Sequence, residues 1–188
     1  LAPGTTFQVG PNAFCTLTDT PNWLTTVSHM FPHGGWLHII GNLWFLWIFG
    51  TNVEDSMGHL RFLVFYLLCG VAAAALQIYS DPRSGIPMVG ASGAIGGVMG
   101  AYVLLYPKVQ VKMLVFLGIF VTTFTVPAFW MLGYWFVAQF IGGIGSIGAQ
   151  GGGVAFWAHV GGFIAGAAMI FLFRDPELVR RHPYYGWS

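Results

Sequence analysis

The sequence predicts an all-α polytopic membrane protein, a bundle of five spanning helices. Three observations predict it. First, 56% of the 188 residues are hydrophobic and only 7% are charged, where a soluble domain carries about 25% charged residues. Second, the apolar residues fall into long runs parted by short breaks that hold glycine, proline and the few charges. Third, the stretch from Met113 to Phe173 has no charged residue and is too long for one crossing, which takes about 20 residues. The lipid bilayer is therefore an expected partner. The formal net charge of +1 carries no sign of nucleic acid, and none is expected. Cys15 lies in a polar stretch and Cys69 inside an apolar run, which makes neither a disulfide framework nor a metal pattern. Cys69 reads as a small core residue.

Residues 1–33 are mixed and polar, with Pro3, Gly10, Pro11 and Pro21, and read as an outer interfacial loop. Trp23, Phe31 and Trp36 suit headgroup level. The core is expected over residues 34–175. Its first span runs over about 35–50 and is ended by Thr51 to Gly58, which contains Glu54 and Asp55. The second covers about 60–79 and gives way to Ser80-Asp81-Pro82-Arg83-Ser84-Gly85, a turn-rich loop. The third covers about 91–106, stopped by Pro107-Lys108. Residues 113–126 are apolar and rich in β-branched and aromatic types, and end at Pro127. They are too short to span and read as interfacial or re-entrant. The fourth span is then about 128–144, a glycine-rich loop follows to Gly153, and the fifth is about 154–173. Residues 176–188 form a polar tail.

Basic residues orient the bundle. Five spans put Arg61, Lys108, Lys112, Arg174, Arg180 and Arg181 on one side and leave Arg83 on the other. The C-terminus is thus expected in the cytoplasm and residues 1–33 outside, in a multi-pass protein of a prokaryotic inner or plasma membrane. His59 and His182 read as solvated cytoplasmic residues. Were 113–126 a full span, Ser92 and His159 would lie on opposite faces.

Under this topology a set of polar residues arrives at one depth. Ser92 opens the third span and His159 lies near the outer end of the fifth. His38 and Asn42 sit at i and i+4 in the outer half of the first, on one helix face. At 1.5 Å per residue all four fall within roughly 10 Å of the outer boundary. Close approach is also encoded. Ser92, Gly96 and Gly100 make one stripe, and His159, Gly162 and Gly166 make another; small-residue stripes let membrane helices touch backbone to backbone.

A serine hydroxyl becomes a strong nucleophile when a base takes its proton. His159 can be that base and later protonate a leaving amine. The oxyanion of acyl transfer needs donors fixed in advance, which His38, Asn42 and the Ser92 backbone N–H can supply. The acids are Asp19, Glu54, Asp55, Asp81, Asp175 and Glu177, all in loops or on the far side, so a Ser–His dyad is the economical reading. Gln139 can bond across helices. His29 and His33 read as loop or cavity residues, with His33 a secondary site candidate. The spacing of His29, His33 and His38 is not His-Glu-x-x-His, so no metal is expected, and no cofactor.

These pieces resemble the rhomboid intramembrane serine proteases. The resemblance rests on His33-Gly34-Gly35-Trp36-Leu37-His38-Ile39-Ile40-Gly41-Asn42, Glu54-Asp55 before Gly58, Gly90-Ala91-Ser92-Gly93, and Ala158-His159-Val160-Gly161-Gly162 with Gly166, in the family's order over roughly residues 29–173. It implies a rhomboid-like helical bundle with an outward-facing, water-filled cavity. It implies Ser92 as nucleophile, His159 as base, and His38 and Asn42 at the oxyanion. The substrates it implies are transmembrane proteins cut near the outer end of a helix, entering past a mobile loop and the fourth span. The family core has six spans and five are legible, so the first is expected before Leu1. Many members carry Trp-Arg in the outer loop, where this chain has Trp23-Leu24. Some pack a tyrosine, four residues after the serine, on the histidine; here that position is Gly96, and Phe156 or Phe163 is expected against the ring. The alternative is a non-catalytic rhomboid-like protein that binds or escorts transmembrane helices. A channel is disfavoured, because the polar residues cluster in the outer half.

Overall fold

A computed structural model of the chain describes residues 4–10, 13–16, 23–82, 88–118, 120–146 and 154–186. Arg83, Asp19, Trp187 and most of the glycine-rich loop, residues 147–153, lie outside them. A bundle of helices forms the body, with two small β-ribbons attached. In order the elements are β1 (Thr6–Gly10), β2 (Ala13–Thr16), α1 (Thr25–Ser28), α2 (Trp36–Phe45), a π-helical turn (Leu46–Gly50), α3 (Thr51–Asp55), α4 (His59–Ser80), α5 (Ser92–Leu105), β3 (Gln110–Leu117), β4 (Phe120–Pro127), α6 (Ala128–Ser146), α7 (Phe156–Phe173) and α8 (Pro176–Arg181).

By length and composition α4, α6 and α7 can each cross a membrane. Their outer faces agree: Leu63, Trp130, Tyr134, Ile141, Phe171 and Leu172 are all exposed. In water such contiguous apolar surface would be a liability; in lipid it is the solvent-matched face. The chain is an integral membrane protein.

α5 occupies the middle. Its residues Gly93 to Tyr102 are buried without a break, because α4, α7 and the first helix surround it. Being enclosed by protein, it can be 14 residues long, about 21 Å at 1.5 Å per residue. α4 offers it Cys69 and Ala73, one turn apart: a Cβ on Gly97 would run into Cys69, and one on Gly93 would come within 2.6 Å of the Ala73 methyl. The first helix does not stop at Gly50, as its sequence implied. It continues through α3, with the π turn fitting an extra residue that points Phe49 inward. Phe49 then meets Tyr102 of α5 edge-on, ring centroids 5.0 Å apart. Gly58, at φ 82°, ends this helix in a conformation other residues avoid, and α4 starts there.

Three features differ from what the sequence predicts. Residues 6–10 and 13–16 form an antiparallel ribbon, β1 with β2, inside the stretch read as loop. Residues 110–117 and 120–127 form a second ribbon, Gln110 opposite Pro127 and Leu117 opposite Phe120. The stretch read as too short to span is rich in Val, Phe and Thr, the types that fit a pleated strand. The ribbon leaves and returns at one end of the bundle, since Ala128 N–H donates to Val109 O at 2.8 Å and Phe129 N–H to Pro107 O at 2.9 Å. α6 therefore runs against α5 and α7 runs back alongside it, which brings the N-termini of α5 and α7 to the same end. Third, His182 is buried, not solvated. Its ring lies 4.6 Å from that of Tyr106, its Nδ1 accepts Tyr184 N–H at 3.2 Å, and Asp55 is 3.9 Å away. The apolar face of an imidazole is enough to draw it onto a tyrosine.

Candidate active site

α5 and α7 touch through their backbones. A Cβ added to Gly162 would strike the Gly93 carbonyl, one on Gly166 the Gly97 carbonyl, and one on Gly100 the Phe163 carbonyl; on Gly96 it would sit 3.0 Å from His159 O. With no side chains between them, the helices hold their first turns close enough for short polar side chains to meet. Ser92 is the first residue of α5 and His159 the fourth of α7. Their side chains join: Ser92 Oγ is 2.7 Å from His159 Nε2. The other ring nitrogen, Nδ1, is 2.7 Å from Gln139 Oε1 on α6. An amide oxygen only accepts, so with the Gln139 amide turned this way Nδ1 is the donor and Nε2 faces the serine hydroxyl with its lone pair.

The ring is seated by Trp135, one turn before Gln139, with centroids 5.7 Å apart. Phe163 backs Trp135 at 6.2 Å instead of packing on the imidazole, and Phe156 lies against Gly142. The expectation of Phe156 or Phe163 at the ring is thus corrected; the support comes from α6, not from α7 itself. Sequence reasoning also missed Gln77 of α4, whose Oε1 accepts Ala158 N–H at 3.1 Å. That N–H, in the first turn of α7, also reaches Ala155 O at 3.1 Å, so a side chain from another helix shares in capping the segment bearing His159.

The remaining candidates surround the start of α5. His38 Nδ1 accepts Gly34 N–H at 3.2 Å, which leaves the proton of the neutral ring on Nε2. That nitrogen faces Gly90, where a Cβ would lie 2.7 Å from it. Gly90 is also at φ 111° and donates its N–H to His29 O at 2.9 Å. Only a residue without a side chain fits there. Asn42 is buried and gives one amide hydrogen to His38 O at 2.9 Å, which leaves its other amide hydrogen uncommitted to that bond. His33 does not meet Ser92. It donates Nδ1–H to Phe31 O at 2.8 Å and stands edge-on to His38, centroids 5.2 Å apart. His29 likewise donates to Thr25 O at 3.0 Å. First-turn N–H groups of α5, Ser92 among them, have no intrahelical acceptor. Among the described residues no group of His, Cys, Asp and Glu is arranged to hold a metal ion.

The fold and this site define a class: a polytopic helical membrane protein with a Ser–His pair between two glycine-seamed helices. The chain belongs to the rhomboid family, whose Rhomboid domain matches residues 20–176. It is 33% identical over 147 residues to "Rhomboid protease GluP" of Bacillus subtilis, covering 78% of this chain and 26% of that protein. It is 37% identical over 100 residues to "Rhomboid-like protein 11, chloroplastic" of Arabidopsis thaliana, 53% of this chain and 35% of that one. It is 26% identical over 149 residues to "Rhomboid protein 1, mitochondrial" of Saccharomyces cerevisiae, 76% of this chain and 40% of that one. The chain thus spans between about a quarter and two fifths of the length of these relatives.

Proposed function

We propose that this chain is an intramembrane serine endopeptidase that cleaves transmembrane segments of other membrane proteins. The observation that carries the reading is the 2.7 Å contact between Ser92 Oγ and His159 Nε2, within the 2.6–3.2 Å reach of a nucleophile and its base. As Ser92 Oγ bonds the scissile carbonyl carbon, its proton passes to His159 Nε2. The carbonyl oxygen becomes an oxyanion, for which the His38 Nε2–H, the Asn42 amide and the Ser92 N–H are the donors. His159 then gives the proton to the amide nitrogen, the C–N bond breaks and the amine leaves an acyl-serine. Water yields a proton to His159 and attacks the ester, and the proton returns to Ser92 as the acid departs. No cofactor is needed.

The lipid-facing exterior supports a substrate that is itself embedded, and one relative bears the name of a rhomboid protease. The basic residues support a cytoplasmic C-terminus, with Ser92 toward the opposite, outer face. The test is a fluorophosphonate probe together with a fluorescent transmembrane-helix substrate in detergent. Ser92→Ala should abolish both labelling and cleavage, and His159→Ala should lower cleavage at least 100-fold, the lower range for general-base catalysis. Labelling that survives Ser92→Ala sinks the reading.

A further inference from the structure

We infer that Gln139 is the positioning residue for the His159 base, making the arrangement Ser92–His159–Gln139 and tying the state of the base to α6. The inference rests on the Ser–His reading above. Two bonds of 2.7 Å flank one imidazole, Gln139 Oε1 at Nδ1 and Ser92 Oγ at Nε2. A neutral histidine has one proton to place. If Gln139 accepts it at Nδ1, Nε2 can only accept, as a base facing a hydroxyl must. With no acceptor at Nδ1, the proton can move to Nε2, and the ring then donates to the serine oxygen and cannot take its proton.

Nothing else in the described residues does this work. Glu54, Asp55, Asp175 and Glu177 are engaged with His59, His182, Arg61 and Arg181, at the end of the bundle away from Ser92, and Asp81, exposed just past the end of α4, is not the partner of Nδ1, which bonds Gln139. An amide also suits the place. A carboxylate in an apolar surround carries a large desolvation penalty, whereas a neutral amide bonded to a ring N–H carries little. Trp135, on the same face of α6 as Gln139, presses on the imidazole, so one helix supplies both the ring's seat and its proton acceptor. α6 is otherwise lightly held: only Ala128, Leu132 and Gly143 are buried along it.

The test reads the tautomer directly, without activity. Nitrogen-15 spectra of the full chain in lipid bilayers, with His159 assigned by difference from His159→Gln, should show Nδ1 protonated and Nε2 bare. In Gln139→Met, similar in shape but without an acceptor, the Nε2-protonated form should appear, and kcat for the helix substrate should fall 10- to 100-fold at unchanged KM. Gln139→Glu, which restores an acceptor, should recover kcat to within a few-fold. A wild-type ring protonated at Nε2 overturns the inference, and so does a Gln139→Met variant with wild-type tautomer and kcat. Should Gln139→Met fail to fold, the wild-type tautomer alone decides. A chain with Nδ1 protonated that neither labels nor cleaves would uphold the role of Gln139 and reject the protease reading, so the two fail separately.

Discussion

Of the helices packed on α7, α5 and α6 meet it in opposite ways. Toward α5 it presents glycines, and carbonyls of one helix lie where side chains of the other would be. Toward α6 it is met by side chains: Trp135 and Gln139 reach His159, and Phe140 meets Trp157 edge-on at 5.8 Å. The first contact sets where Ser92 and His159 stand. The second sets how the imidazole is turned and protonated. A backbone seam has no rotamers to relax into, so it can hold position but cannot tune chemistry; a side-chain contact can do the reverse. The two sides of α7 should therefore fail differently.

Gly166→Val breaks the seam and has the largest expected effect. Its Cβ would strike the Gly97 carbonyl, and backbone cannot swing aside. A loss of about 3 kcal/mol is expected, the upper part of the usual range for overpacking, seen as a lower Tm in detergent with labelling of Ser92 lost in parallel. A wild-type Tm would mean the seam is looser than described. Trp135→Ala sharpens the other side. Removing the ring from His159 should cost about 1 kcal/mol, within the range for stacked aromatic pairs, and slow cleavage by up to ~10-fold, while Ser92 still labels. If stability drops as far as in Gly166→Val, the contrast between the two contacts collapses. The smallest effect lies at the far end, remote from both. Burial pushes His182 below its ordinary imidazole value, against an opposing pull from Asp55. The unfolded chain then takes the proton first as pH falls. Stability is full above about pH 6.5 and declines on acidification below it. His182→Phe keeps a ring on Tyr106 and should flatten that decline. His29, pushed the same way by burial, should leave a residual slope. An unchanged Tm-versus-pH curve in His182→Phe would remove His182 from the account.

Much of the bundle was legible because membrane composition is blunt. Long apolar runs, their breaks and the glycine stripes are properties of the chain read in order, and the meeting of Ser92 with His159 follows from topology and small residues alone. What was illegible depends on rotation and on ambiguity. Gln139 stands in an apolar run, and which way an amide points depends on how α6 is turned about its axis, a tertiary fact. The support from Trp135 was hidden for the same reason, and Phe163, near it in sequence to His159, looked the better partner. Residues 113–126 are a continuous apolar run, which periodicity cannot assign between strand and helix. His182 follows Arg180 and Arg181, so its neighbours in sequence spoke for solvent while its neighbours in space are tyrosines.

The β3–β4 ribbon has a consequence for the parity of the chain. A segment whose two ends are paired adds zero to the count of crossings, whatever its length. Gln110 lies opposite Pro127, and Val109 already accepts a hydrogen bond from Ala128. Residues 110–127 are thus an excursion from a point the chain has not left. Ribbons of any even reach could replace it without turning α6 or α7 over. One extra crossing in its place would invert everything downstream and carry His159 to the face opposite Ser92. Parity, more than length, is what this stretch must conserve.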